Sequence, residues 1–220
     1  MPINTFMLPS IIKENFITAE EIKTITDSVF GSAKPWEDIT DGHHTSDYYV
    51  WSYYAKEFAE IRQILDERIC SAINMDVLID HSHIIHSIMP YNIHSDYYQR
   101  KALPSKLVPA YTFIIPLADC ASHTLAFNES SEIKHFKEYL EQVNPDPLPK
   151  EQQVSQDIYD RYLSHCDINH MQYLSLKEIF PWRAGSFYAC DRRHFHCSDN
   201  YYKNNLKDKR AIIMWTSTKL

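Results

Sequence analysis

Phe180 to Asn200 reads FPWRAGSFYACDRRHFHCSDN, and Lys209 to Ser217 reads KRAIIMWTS. Short apolar runs bounded by turn formers read as strands, which places strands at 185–190, 194–198 and 210–217. The middle run opens on Asp191-Arg192-Arg193-His194-Phe195-His196. Residues two apart in an extended strand point the same way, so His194 and His196 share one face and parity does not choose between them. Roughly a hundred positions earlier lies His94-Ser95-Asp96, where the same rule lets an imidazole and a carboxylate reach one point.

Two imidazoles and one carboxylate on one face of an ion leave coordination positions open, and this donor set suits Fe(II) or Mn(II) better than thiolate-loving ions. Cys190, His194, His196 and Cys197 do not make a convincing zinc site. Four ligands from one short strand cannot easily close a tetrahedron.

Working outward, 82–89 and 110–118 read as further strands, as does 170–179. The N-terminal part is helical. Thr18-Ala19-Glu20-Glu21 is a capping box that starts a helix over about 19–29, ending at Gly31. Phe58, Ile61, Leu65, Ile69 and Ala72 make one apolar stripe on a second helix over 53–73. Residues 32–50 read as a loop. Helical periodicity returns at 132–143, is broken by the prolines of NPDPLPK (144–150), and resumes weakly at 154–165. The order is helices, strands, a helical insert, then strands. It predicts one domain, mainly β with helical support: helices over 1–76, a sheet sandwich over 77–128 and 168–220, and an insert over 129–167 expected to act as a lid on the site.

The chain of 220 residues is long enough for one full core. A formal net charge of −7 argues against nucleic acid as a partner, since no basic stripe supplies phosphate neutralisation. The local run KNNLKDKR (203–210) reads as a solvated hairpin rim. The five cysteines include no C-x-x-C pair, which reads as free thiols in a reducing cytoplasm. No signal peptide or membrane-spanning run is visible. With three glycines the chain has no phosphate-cradling loop, so nucleotide chemistry is a poor fit. His81, His83 and His86 read as strand or pocket-rim histidines, with His86 out of phase. Tyr48, Tyr49, Trp51, Tyr53 and Tyr54 read as packing between helix and sheet.

The combined pattern resembles the 2-oxoglutarate/Fe(II)-dependent oxygenases, in particular their small bacterial and phage members. It comprises Trp-x-x-Gly before an apolar strand, Asp-x-x-x-x-His, His-x-Ser-x-Asn and a basic residue in the last strand. The likeness covers about 80–217 and extends to AYTFIIPL and SHTLAFNES in 110–130. It implies a double-stranded β-helix, a cupin-like jelly roll, with Fe(II) held by His94, Asp96 and His196. The activity implied is hydroxylation of a small-molecule or peptidyl substrate, driven by O2 and oxidative decarboxylation of 2-oxoglutarate. Arg210 corresponds to the basic residue that grips the distal carboxylate of 2-oxoglutarate, with Lys209 as its competitor. Tyr111, or its neighbour Thr112, is expected to offer that co-substrate a hydroxyl. Tyr97, Tyr98 and Arg100, directly after the carboxylate ligand, are expected to meet substrate. The rivals are a cupin-like metal enzyme without 2-oxoglutarate and a non-catalytic jelly-roll binding module. The sequence leaves oligomeric state open.

Overall fold

A computed structural model describes residues 7–32, 48–52, 59–97 and 107–219. In chain order the elements are β1 (Ile11–Lys13), α1 (Ala19–Ser32), β2 (Tyr48–Ser52), α2 (Ala59–Ile73), β3 (Leu78–Ser87), β4 (Leu107–Pro116), β5 (His123–Ser130), α3 (Phe136–Val143), β6 (Leu176–Pro181), β7 (Phe187–Asp191), β8 (His194–Ser198) and β9 (Lys209–Lys219). The strands pair antiparallel in two sheets, a six-stranded one ordered β1-β7-β4-β9-β3-β2 and a three-stranded one ordered β6-β5-β8. Packed face to face, they form the double-stranded β-helix that the sequence predicts. Among the described residues no helix is long and apolar enough to cross a membrane.

Three apolar clusters give the fold four layers. Leu65, Ile69 and Ile73 of α2 and Ile25 of α1 pack on the outer face of the large sheet, against Tyr111, Phe113, Ile212 and Met214. Ile114, Ala126, Phe180, Tyr188 and Ala211 fill the space between the sheets. Phe136, Tyr162, Leu163 and Met171 cover the outer face of the small sheet at Leu125, Phe127 and Phe195. Fully burying each such side chain contributes about 1.5–3 kcal/mol, so both sheets depend on their helical cover.

Local signals explain several boundaries. The capping box forms as read: Thr18 N–H donates to Glu21 Oε2 at 2.8 Å and Glu21 N–H to Thr18 Oγ1 at 3.2 Å. Glu21 also takes both arms of the Arg68 guanidinium, at 2.8 and 2.9 Å, which ties α1 to α2. Gly185 has φ +72°, and a Cβ there would lie 2.4 Å from the Ile17 carbonyl oxygen. Its carbonyl accepts from Phe16 N–H and Ile17 N–H, so only glycine lets the N-terminal segment come this close.

The structure departs from the sequence reading in four places. The part read as helical support also supplies β1 and β2, which pair at the two edges of the large sheet, β2 beginning at the end of the stretch read as loop. The second helix begins at Ala59; 53–58 lie outside the described residues. Residues 168–173 form a 3-10 helix rather than a strand, started by the Asp167 carboxylate, which accepts from Asn169 N–H at 2.9 Å. Finally, the insert lies mostly behind the small sheet. Its apolar residues pack on the face of the small sheet opposite the interior, because Phe195 and Cys197 point outward and require cover. Of 129–167, only Lys134 lines the cavity described next.

Candidate metal centre and its cavity

A cavity of about 460 Å³ lies between the sheets. Strand alternation decides what faces it. On β9, Lys209, Ile213 and Trp215 line it, while Ile212 and Met214 point to the helices. On β4, Thr112 and Ile114 line it, while Tyr111 and Phe113 point out. On the small sheet, Thr124, His196 and Ser198 line it.

His94, Asp96 and His196 meet here. They are the one group of three metal-capable side chains among the described residues, with ligand atoms within 4.8 Å of one another. His94 and His196 are paired through the backbone: His94 N–H donates to His196 O at 3.0 Å and His196 N–H to His94 O at 2.8 Å. The segment carrying His94 thereby extends the small sheet beyond β8, and the two rings stand 4.4 Å apart, centre to centre. Both Nδ1 atoms are turned back on the chain, to Asn92 O at 2.8 Å and His194 O at 3.0 Å. That fixes each tautomer and leaves Nε2 for the centre. Asp96 Oδ1 lies 3.6 Å from His94 Nε2, and Oδ2 lies 3.1 Å from His196 Nε2 and accepts from the Thr112 hydroxyl at 2.8 Å.

The electrostatics suit a divalent cation. Burial drops His94 to about 3, helped by the charge of His196. Burial alone would raise Asp96, yet the His196 and His94 imidazoles and the Thr112 hydroxyl hold it well below the usual carboxylate range. Burial alone would lower His196, but Asp96 outweighs it and raises it. Two inward Nε2 atoms and an ionised carboxylate fit a non-haem iron or manganese ion.

His194 does not join this group. Beyond an irregularity in the β5–β8 pairing it meets Lys177 Nζ at 2.6 Å, and burial with the Lys177 charge lowers it to about 4. Asp191, which opens the Asp-x-x-x-x-His run, stays out of the cavity. Its carboxylate accepts from Leu8 N–H and from the Arg193 side chain, stabilising the β7–β8 turn.

Three expectations about neighbouring residues are corrected. Arg210 does not line the cavity, because alternation on β9 sends it to the helix side with Ile212 and Met214; Lys209 faces inward instead. Lys209 is therefore no part of a solvated rim but 4% exposed. Tyr111 likewise packs outward, and of the two it is Thr112 that faces the cavity. Tyr97 lines the cavity, whereas Tyr98 and Arg100 lie outside the described residues.

The cavity has two chemically different ends. At one, the Lys209 ammonium sits 3.8 Å from the centre of the Trp182 indole and 3.3 Å from Ser122 Oγ. Ser122 in turn donates to Asp199 at 2.7 Å. No carboxylate lies within ion-pair distance of Lys209 among the described residues, and burial pushes it down to about 8. At the other end, where Trp215 pairs with His81 on β3 and with Thr112 on β4, His81 stacks on Trp215 and His83 meets it edge-on. The two imidazoles also touch each other through Nε2. His86 falls on the opposite face, 3.4 Å from Asp208.

No protein-family model matches the sequence, and no curated protein matches it. Solved structures do. HygX from Streptomyces hygroscopicus, with nickel and 2-oxoglutarate bound, is 10% identical with a TM-score of 0.56 over 94% of this chain and 82% of that one. The carbocyclase SnoK from nogalamycin biosynthesis is 12% identical, TM-score 0.55, over 94% and 79%. An oxidoreductase of the 2OG-Fe(II) oxygenase family from Burkholderia pseudomallei is 10% identical, TM-score 0.53, over 94% and 84%. At these identities the likeness is one of fold: the chain has the double-stranded β-helix of the 2-oxoglutarate/Fe(II)-dependent oxygenases.

Proposed function

We propose that this chain is a non-haem Fe(II) oxygenase that uses 2-oxoglutarate and O2 to hydroxylate a small molecule. The observation that carries the reading is a buried lysine with no carboxylate within ion-pair distance among the described residues, in the same cavity as a two-histidine, one-carboxylate group. A desolvated cation in an aromatic-walled recess favours an anion that enters from outside, and a dicarboxylate that chelates at one end and pairs at the other fits this arrangement. A cupin-like enzyme without 2-oxoglutarate has no use for Lys209, and a purely structural jelly roll has no use for either feature.

Iron held by His94, Asp96 and His196 would supply the redox chemistry that couples decarboxylation of 2-oxoglutarate to attack on a substrate C–H bond. The chain's own part is binding and exclusion of water. Lys209 pairs with the distal carboxylate, Thr112 fixes the orientation of Asp96, and the sheet interior keeps bulk solvent out. The His81–His83–Trp215 wall at the far end offers a flat, hydrogen-bonding surface to substrate, and Tyr97 lines the same cavity. HygX has also been solved with hygromycin B bound, which supports a small molecule as the substrate class.

Calorimetry tests the reading directly. 2-Oxoglutarate should bind only after Mn(II) is added under anaerobic conditions. Fe(II) with 2-oxoglutarate in air should release succinate, faster when a substrate from a small-molecule panel fits. A product heavier by one oxygen atom identifies hydroxylation; ring closure or epimerisation adds none. Metal-independent binding of 2-oxoglutarate, or none, defeats the proposal.

A further inference from the structure

We infer that Arg192 is a positioning residue for the Asp96 carboxylate, acting as a bracket that closes on both backbone polar groups of Asp96. This rests on the metal assignment above. Asp96 lies in no strand; its neighbours on either side are irregular backbone, and 98–106 follow outside the described residues. A ligand so placed needs external fixing, and one residue supplies it twice. Asp96 N–H donates to the Arg192 carbonyl at 2.9 Å, and Arg192 Nε donates to the Asp96 carbonyl at 3.0 Å.

The guanidinium is itself aimed from the other side. Its Nη1 donates to Asp80 Oδ2 at 2.8 Å and to Thr216 O at 3.1 Å, and Asp80 is held by the Ser217 hydroxyl. The Arg192 and Asp80 side chains are 5% and 7% exposed. A buried ion pair is a weak source of net stability; what it supplies here is direction. The rigid fork lets Nε face Asp96 while Nη1 faces Asp80, which a single ammonium cannot do.

Arg192 occupies the turn between β7 and β8, the crossing from the large sheet to the small one that leads into the strand carrying His196. Its N–H donates to Ala110 O on β4, which anchors the turn to the large sheet. One inter-sheet connection therefore places two ligands by different means: His196 along the strand that follows it, and Asp96 through the Arg192 bracket. A shift of this turn moves the carboxylate and the imidazole together.

The test measures Mn(II) affinity by calorimetry and the visible spectrum of the Co(II)-loaded protein, neither of which needs activity. Arg192→Lys keeps a charge for Asp80 but loses the bond to Asp96 O. It should weaken Mn(II) binding about 10-fold, within the range seen when groups behind metal ligands are removed, and shift the Co(II) spectrum. Asp80→Ala should do the same, while Asp80→Asn, which still accepts from Nη1, should stay within about 3-fold of wild type by that reasoning. Leu65→Ala, in the helix-side core, serves as the control for destabilisation alone: a lower Tm with unchanged affinity. Arg192→Lys binding within 2-fold of wild type with an unchanged Co(II) spectrum, whatever its Tm, overturns the inference. A wild-type chain that binds no divalent ion overturns the metal reading itself, a distinct result.

Discussion

The Lys209 ammonium lies 3.8 Å from the centre of the Trp182 ring, inside the sandwich, while its sequence neighbour Arg210 falls on the other face of β9. Two adjacent basic residues thus face different surroundings, and substitution tells their effects apart. Lys209→Ala should weaken Mn(II)-dependent 2-oxoglutarate binding by about 10-fold or more, the loss of roughly 1.5–3 kcal/mol from a charge-assisted contact. Arg210→Ala should leave that constant within about 2-fold by the same scale. Calorimetry decides, and the reverse order would return the role to Arg210.

The pH dependence follows from burial. With Lys209 near 8 rather than at its usual value, the cationic form that binds a carboxylate is full only below that point. Affinity for 2-oxoglutarate should be highest below about pH 8 and fall as pH rises through it, with Lys209→Arg moving the fall to higher pH. A flat profile from pH 7 to about 9 would show that Lys209 does not titrate in binding.

The same shift has a stability sign. A lysine whose folded pKa is lowered penalises the folded state wherever it is protonated, so the cost is full below about 8 and is relieved between about 8 and the unfolded value of 10.5. Lys209→Met should therefore stabilise the metal-free, ligand-free protein at pH 7, on the order of 1–3 kcal/mol. Tm by calorimetry checks this; a lower Tm would mean that the Trp182 and Ser122 contacts outweigh desolvation.

Thr112→Val keeps the shape of the side chain and deletes the donor to Asp96 Oδ2. Mn(II) affinity should fall about 10-fold with little change in Tm. An unchanged affinity would mean that Asp96 is oriented without the hydroxyl.

Phe136 is 1% exposed and meets Phe195 edge-on at 4.8 Å, next in sequence to His196. Phe136→Ala should cost about 3–5 kcal/mol in urea unfolding, because Phe136 packs in the apolar cluster on the outer face of the small sheet. Metal affinity of the folded fraction should stay near wild type. A selective loss of substrate choice at unchanged stability would instead support a lid.

What was legible in the sequence is what alternates. His-x-Asp and the polar face of HFHCS stand out because each has a period of two, and they came together as read. β9 carries no such signal. Ile212 and Met214 face helices while Ile213 and Trp215 face the cavity, so the strand is apolar on both sides and its phase is invisible. The sequence therefore does not choose between Arg210 and Lys209, nor, on the equally two-sided β4, between Tyr111 and Thr112. The placing of the insert had a signal that passed unread: Phe195 and Cys197 alternate with the cavity-facing residues of β8, so an apolar outer face there demanded a partner. Arg192 could not be found at all, since its role depends on a turn meeting a segment about a hundred residues away.

The reciprocal backbone pairing of His94 with His196 also bears on how the protein assembles. These residues approach only when most of the intervening chain has been organised, so the contact has a large sequence separation and belongs late in folding. An ion encountering the unfolded chain finds local pairs such as His94 and Asp96 but not the full set of three. Metal then acts on the finished molecule by mass action, adding about 2.7 kcal/mol at a hundredfold excess over its Kd, and its kinetic effect falls on the unfolding rate rather than the folding rate.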